Sequence, residues 1–64
     1  MRLNGEDREF EGPLDVRGLL NRLGLESAKI AIERNLEIVP RSQYGATALA
    51  DGDRLEIVQF IGGG

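Results

Sequence analysis

In Asp15-Val16-Arg17-Gly18-Leu19-Leu20-Asn21-Arg22-Leu23-Gly24, apolar side chains fall at Val16, Leu19, Leu20 and Leu23. That spacing, i, i+3, i+4 and i+7, is one apolar stripe of a helix facing a core. Asp15 precedes the stripe and has a carboxylate that can accept from the free N–H groups of a first turn. Arg17, Asn21 and Arg22 take the wet side. Gly24 stands where a helix prefers a left-handed terminating residue. Gly18 is a local conflict, costing about 1 kcal/mol relative to Ala; close packing against a strand would accommodate it.

The segments on either side read as strands. Upstream, Met1 to Glu11 has the form of a hairpin, with Asn4-Gly5 as its turn because both residues tolerate positive φ. Its second arm, Arg8-Glu9-Phe10-Glu11, alternates with Phe10 inward, and Gly12-Pro13 ends it. Downstream, Lys29-Ile30-Ala31-Ile32-Glu33 places Ile30 and Ile32 on one face. Arg34-Asn35 marks a turn, and Leu36-Glu37-Ile38-Val39 is a short strand ended by Pro40, which cannot donate to a ladder. Ser42 is positioned to cap a helical turn through Gln43 and Tyr44. Asp51-Gly52-Asp53 is a tight turn into the longest strand signal, Arg54 to Ile61. There Leu55 and Ile57 face the helix, with Arg54 and Glu56 opposite.

One helix and one sheet, each with a single apolar face, make a two-layer α+β sandwich. Hairpin, helix and further strands is the order of the β-grasp fold, here a mixed four- to five-stranded sheet with one main helix packed on one face. The helical crossover makes the strands before and after it parallel. Residues 1–61 form the domain and 62–64 a flexible glycine tail.

Composition excludes several chemistries. The chain has 64 residues and no Cys or His. A disulfide framework, a thiolate nucleophile and a Ser-His pair are therefore absent. A domain of this length buries only about 60% of its unfolded surface, leaving little room for a cleft. Glu9 with Glu11, or Asp51 with Asp53, is accordingly read as a solvated strand face and a turn rather than as a catalytic pair. The net charge is −3, and the seven Arg and the single Lys29 are scattered along the chain. This argues against nucleic acid, which needs clustered cations, and suits a partner with a basic surface. No apolar run approaches the ~20 residues that span a bilayer, and no signal-peptide core follows Met1. The expected compartment is the cytoplasm.

Two features point to function. The last strand runs into Gly62-Gly63-Gly64. A tail without Cβ atoms is narrow enough to thread a tight channel and deliver a carboxylate to another protein's active site. Val58 and Phe60 alternate away from Leu55 and Ile57, so the strand's outer face turns from charged to apolar as the tail approaches. Exposed apolar surface beside such an element reads as a docking site, formed by Val58, Phe60 and Ile61.

These residues resemble the ThiS family of bacterial sulfur carriers in thiamin biosynthesis, ubiquitin-like β-grasp proteins. The resemblance covers essentially the whole chain. It rests on Asn4-Gly5, Leu19-Leu20-Asn21-Arg22-Leu23-Gly24, Ile38-Val39-Pro40-Arg41 with Tyr44 after it, Asp51-Gly52-Asp53 and the terminal glycines. The chain departs from the family's commoner form in having three final glycines instead of two, and Asn35-Leu36 in place of an Asn-Gly turn. The resemblance implies a protein co-substrate with no catalytic residue, metal or bound cofactor of its own. An ATP-consuming adenylating enzyme, related to the ubiquitin activators, would activate the Gly64 carboxylate, or Gly63 if Gly64 is trimmed. A sulfur donor such as a cysteine desulfurase would convert it to a thiocarboxylate, with Gly62 and Gly63 lying in the partner's channel. Thiazole synthase would take the sulfur. The alternatives are a carrier like the small subunit of molybdopterin synthase, a ubiquitin-like covalent modifier, and a β-grasp interaction module with an idle tail.

Overall fold

The computed structural model describes residues 1–60. Five strands and one α-helix are present among them: β1 (Arg2–Leu3), β2 (Glu6–Asp7), α1 (Val16–Leu23), β3 (Ile30–Arg34), β4 (Glu37–Ile38) and β5 (Arg54–Gln59). The strands form one mixed sheet in the order β2-β1-β5-β3-β4. β1 runs parallel to β5, and the other neighbouring pairs are antiparallel. This is the β-grasp arrangement. The strands flanking the helix, β2 and β3, point the same way as expected, but β1 and β5 lie between them.

The helix forms as its sequence dictates. The Asp15 carboxylate accepts from the Gly18 N–H at 2.7 Å, and Gly24 closes the C-terminus with φ 71°. Val16, Leu19 and Leu20 are buried, and Leu23 is half-buried. They pack with Leu3, Ile30, Ile32, Val39, Tyr44 and Leu55 as one cluster. The fully buried Leu19, Ile32, Leu55 and Val16 form its centre, each contributing about 1.5–3 kcal/mol by removal from water. Gly18 does not meet a strand. A Cβ there would lie 3.0 Å from Leu14 Cδ1 and 3.4 Å from Asp15 Oδ1, so the crowding comes from the capping segment itself.

Two local expectations are corrected. The second hairpin arm is Glu6–Asp7, not Arg8 to Glu11. Pairing ends where the Arg8 N–H donates to the Met1 carbonyl at 2.9 Å and the Met1 ammonium donates to the Arg8 carbonyl at 3.0 Å. The chain then leaves the sheet, turning at Gly12 with φ 75°; Phe10 still packs against the core. Ser42 caps nothing. Residues Arg41–Ala46 form a 3-10 segment with Pro40 at its N-cap and no side-chain capping bond, and it buries Tyr44.

The Asp51-Gly52-Asp53 turn hides one further element. Asp51 and Gly52 are exposed, but Asp53 is buried. Its carboxylate accepts from Arg34 Nε at 2.9 Å, Asn35 Nδ2 at 3.1 Å and the Ala50 N–H at 2.8 Å. Asn35 in turn accepts from the Arg54 N–H at 3.0 Å and donates its own N–H to the Arg54 carbonyl at 2.8 Å. The β3–β4 turn is thereby fastened to the start of β5. Burial pushes the Asp53 carboxyl pKa up. The bonds from Arg34, Ala50 and Asn35 and the Arg34 charge outweigh that, and the net shift is below the ordinary 3.8.

A carboxyl whose pKa is lowered by folding stabilises the fold above its unfolded pKa, and that stabilisation is lost as pH falls through the folded value. Asp53→Asn should therefore lower the urea midpoint at about pH 7, with the gap from wild type closing as pH falls below about 4. A gap that stays constant with pH would remove the ionised carboxylate from this account.

Candidate functional site

β5 fixes the site. Leu55 is fully buried, Ile57 is half-buried, and Glu56 and Val58 alternate to the opposite face. Val58 is 55% exposed and Phe60 59% exposed, as the alternation predicts. Phe60 is the last described residue, and its N–H donates to the Lys29 carbonyl at 2.8 Å. It borders a depression of about 260 Å³, lined also by Gly24, Leu25, Glu26, Lys29 and Gln59. Ile61, Gly62, Gly63 and Gly64 lie outside the described residues.

Sequence reasoning missed half of the exposed apolar surface. Leu36 and Ile38, read as part of a strand, are 79% and 74% exposed. Ile38 stands opposite Glu33, Glu33 stands opposite Glu56, and Ala31 stands opposite Val58. The sheet face away from the helix therefore carries Ile38, Ala31 and Val58 around a pair of facing carboxylates. Neither Glu33 nor Glu56 has a cation within 4.0 Å among the described residues, where the ion pairs are Arg2–Asp7, Lys29–Glu26 and Arg34–Asp53. Like charges directly opposite are destabilising in a sheet. Among the described residues no group of three or more Asp or Glu gathers as a metal site. No helix there is long and apolar enough to cross a membrane.

Leu36 is notable for its backbone. Asn35 and Leu36 have φ 53° and 71°, so the β3–β4 turn places both in the left-handed region. Asn adopts it readily; Leu does not, at roughly 1–2 kcal/mol. A leucine kept there, and pointing into solvent, is a conformational cost without a packing return in the free protein.

A five-stranded mixed sheet in the order β2-β1-β5-β3-β4, with one helix on one face and a central strand whose end exposes Val58 and Phe60, defines a ubiquitin-like β-grasp protein. Residues 1–64 match the ThiS family model, and the chain belongs to that family. It is 37% identical over 65 residues to the sulfur carrier protein ThiS of Bacillus subtilis, covering 100% of this chain and 98% of that one. It is also 58% identical over 62 residues to a thiazole synthase of Paramagnetospirillum magneticum. That match takes in 97% of this chain but only 19% of the longer protein. The crystal structure of the thiamine biosynthesis protein ThiS from Geobacter metallireducens superposes with a TM-score of 0.83 at 33% identity, over 98% of this chain and 96% of that one.

Replacing Leu36 with Gly should raise stability by about 1 kcal/mol, because Gly enters the left-handed region freely. Phe60→Ser should leave the melting temperature nearly unchanged. A loss in the ~3–5 kcal/mol range of a core Phe truncation would place Phe60 in the core instead.

Proposed function

We propose that this chain is a sulfur carrier for thiazole formation in thiamin biosynthesis, and that its reacting group is the Gly64 carboxylate. The observation that supports this best is the course of β5. The strand is held in the middle of the sheet by Leu55, exposes Val58 and Phe60, and leads into Ile61-Gly62-Gly63-Gly64. The domain of residues 1–61 is then a handle by which partners grip the protein, and 62–64 is the part they act on.

A carboxylate is a poor acyl donor because its oxygen leaves badly. In this reading an activating enzyme joins the Gly64 carboxylate to the α-phosphate of ATP, releasing pyrophosphate and making AMP the leaving group. A persulfide sulfur, drawn from a donor such as a cysteine desulfurase, displaces AMP. A partner thiol then attacks the sulfur–sulfur bond, ending as a disulfide with the donor's sulfur, and the thiocarboxylate is released as the leaving group. That group is a soft anionic nucleophile that thiazole synthase can consume. Every catalytic side chain and the ATP belong to partners, in keeping with a chain that has no Cys or His. Gly62 and Gly63 line the tail for the partner's channel, while Val58, Phe60 and Ile61 dock. Two relatives named thiazole synthase contain a segment 58% and 47% identical to this chain, which favours thiazole synthase as the acceptor; the site of action in this reading is the cytoplasm.

Intact-mass spectrometry of protein purified from its native host tests the reading. An oxygen-to-sulfur shift localised to the C-terminus is the expected result. Isopeptide-linked adducts would mark a covalent modifier instead. Adding one Ala after Gly64 should abolish ATP–pyrophosphate exchange with the cognate activating enzyme while leaving the fold intact. The carboxylate then sits one residue too far along, and a misplacement of ~1 Å can cost about a hundredfold in rate. Exchange as fast as with the unextended protein would leave the tail with no delivery role.

A further inference from the structure

The pairing of β5 is one-sided in its second half. The Asn35 N–H donates to the Arg54 carbonyl and the Phe60 N–H to the Lys29 carbonyl, so the even-numbered residues of β5 turn their backbone groups toward β3. The odd-numbered residues face β1: the Arg2 N–H donates to the Asp53 carbonyl at 3.0 Å and the Asn4 N–H to the Leu55 carbonyl at 2.9 Å. β1 stops at Leu3, because Asn4 (φ 50°) and Gly5 (φ 82°) turn the chain back. The Asn4 side chain supplies one more rung, accepting from the Ile57 N–H at 2.8 Å.

Beyond that rung the Ile57 carbonyl and the Gln59 N–H point to the side that β1 has left, and neither has a partner among the described residues. They open onto a groove of about 630 Å³, walled by Leu23, Leu25, Ile57 and Val58 on its apolar parts and by Glu6 and Arg8 at its margin. A free acceptor on residue i−1 and a free donor on residue i+1 are what one residue of a parallel neighbour satisfies. The open edge thus has the donor–acceptor pattern of a missing parallel strand in line with β1.

We propose that this edge is a strand-addition site, and that its occupant is an extended segment of thiazole synthase that pairs in parallel with residues 57–59. This rests on the carrier reading for its partner. Backbone pairing supplies attachment, and the apolar walls supply pockets for alternate side chains of the incoming segment. The incoming strand would run in the direction of β5 and so toward the residues that carry the tail. Exposed edges of this kind are ordinarily blunted by charge, proline or a bulge; here the blunting stops at Asn4.

The test is amide hydrogen exchange by NMR on the full chain, free and bound to the thiazole synthase of the same organism. In the free protein the Gln59 amide should exchange at least tenfold faster than Phe60, whose N–H is already bonded within the sheet. In the complex Gln59 should slow by tenfold or more, while Phe60 changes little. Gln59→Pro removes that N–H without touching the β3 ladder, so it should weaken binding by about tenfold or more with little change in melting temperature. Should the proline variant fail to fold, the exchange data on the wild-type chain still decide. A complex in which Gln59 stays fast, or no complex at all, overturns the proposal. So does slowing of Gln59 only with the activating enzyme or in a self-associated form. A C-terminal thiocarboxylate together with a fast Gln59 leaves the carrier reading standing without the edge. Protection of Gln59 in a protein that never carries the thiocarboxylate does the reverse.

Discussion

The buried Asp53 carboxylate sets where the central strand begins. It accepts from Arg34, Asn35 and the Ala50 N–H, joining the β3–β4 turn to the loop that precedes β5. Register matters more here than in most sheets, because a slip by one residue sends every side chain of a strand to the other face. Such a slip would carry Leu55 and Ile57 into solvent and draw Glu56 and Val58 into the core. A buried ion pair is weak evidence of net stability, since desolvation offsets much of its attraction. What the three bonds do here is tie the start of β5 to the β3–β4 turn.

That anchor was illegible in the sequence, and the reason is physical. Asp-Gly-Asp states a turn through local backbone preference, and the turn is present. The burial of Asp53 depends on Arg34 and Asn35, about twenty residues earlier, and no local pattern announces that contact. The helix was legible for the opposite reason. Its cap, stripe and terminating glycine all lie within Asp15 to Gly24, and each acts on its neighbours. The hairpin was half legible. Asn4-Gly5 fixed the turn, but the length of the arms depends on how soon the chain must leave the sheet to start the helix. Leu36 was misread because its apolar character fits a strand, whereas its place in a two-residue turn imposes a left-handed backbone.

The outer face shows the same division. Val58 and Phe60 were readable by alternation along one strand. Ile38 joins them only through the pairing of β4 with β3 and of β3 with β5, which is a tertiary fact. The result is an apolar surface around two facing carboxylates, Glu33 and Glu56, on a chain of net charge −3. The same face continues through Arg54, which alternates with Glu56, to Arg2 opposite it, so it presents both signs of charge. Complementary charge on such a surface governs encounter rate and register more than total affinity.

A chain of 64 residues has one small core, and docking must not disturb it. β5 meets this constraint by dividing its groups. Odd-numbered side chains, Leu55 and Ile57, serve the core. Even-numbered side chains, Glu56 and Val58, serve the outer face. Even-numbered backbone groups close the ladder with β3, while those of residues 57 and 59 on the other side are only partly used. Contacts made on the outer face or on the open edge can form and break while the β3 ladder and the Leu55 packing stay intact. Local events of this kind cost less free energy than global unfolding, since they leave the cooperative unit whole. A two-residue β1 beside a six-residue β5 provides that separation.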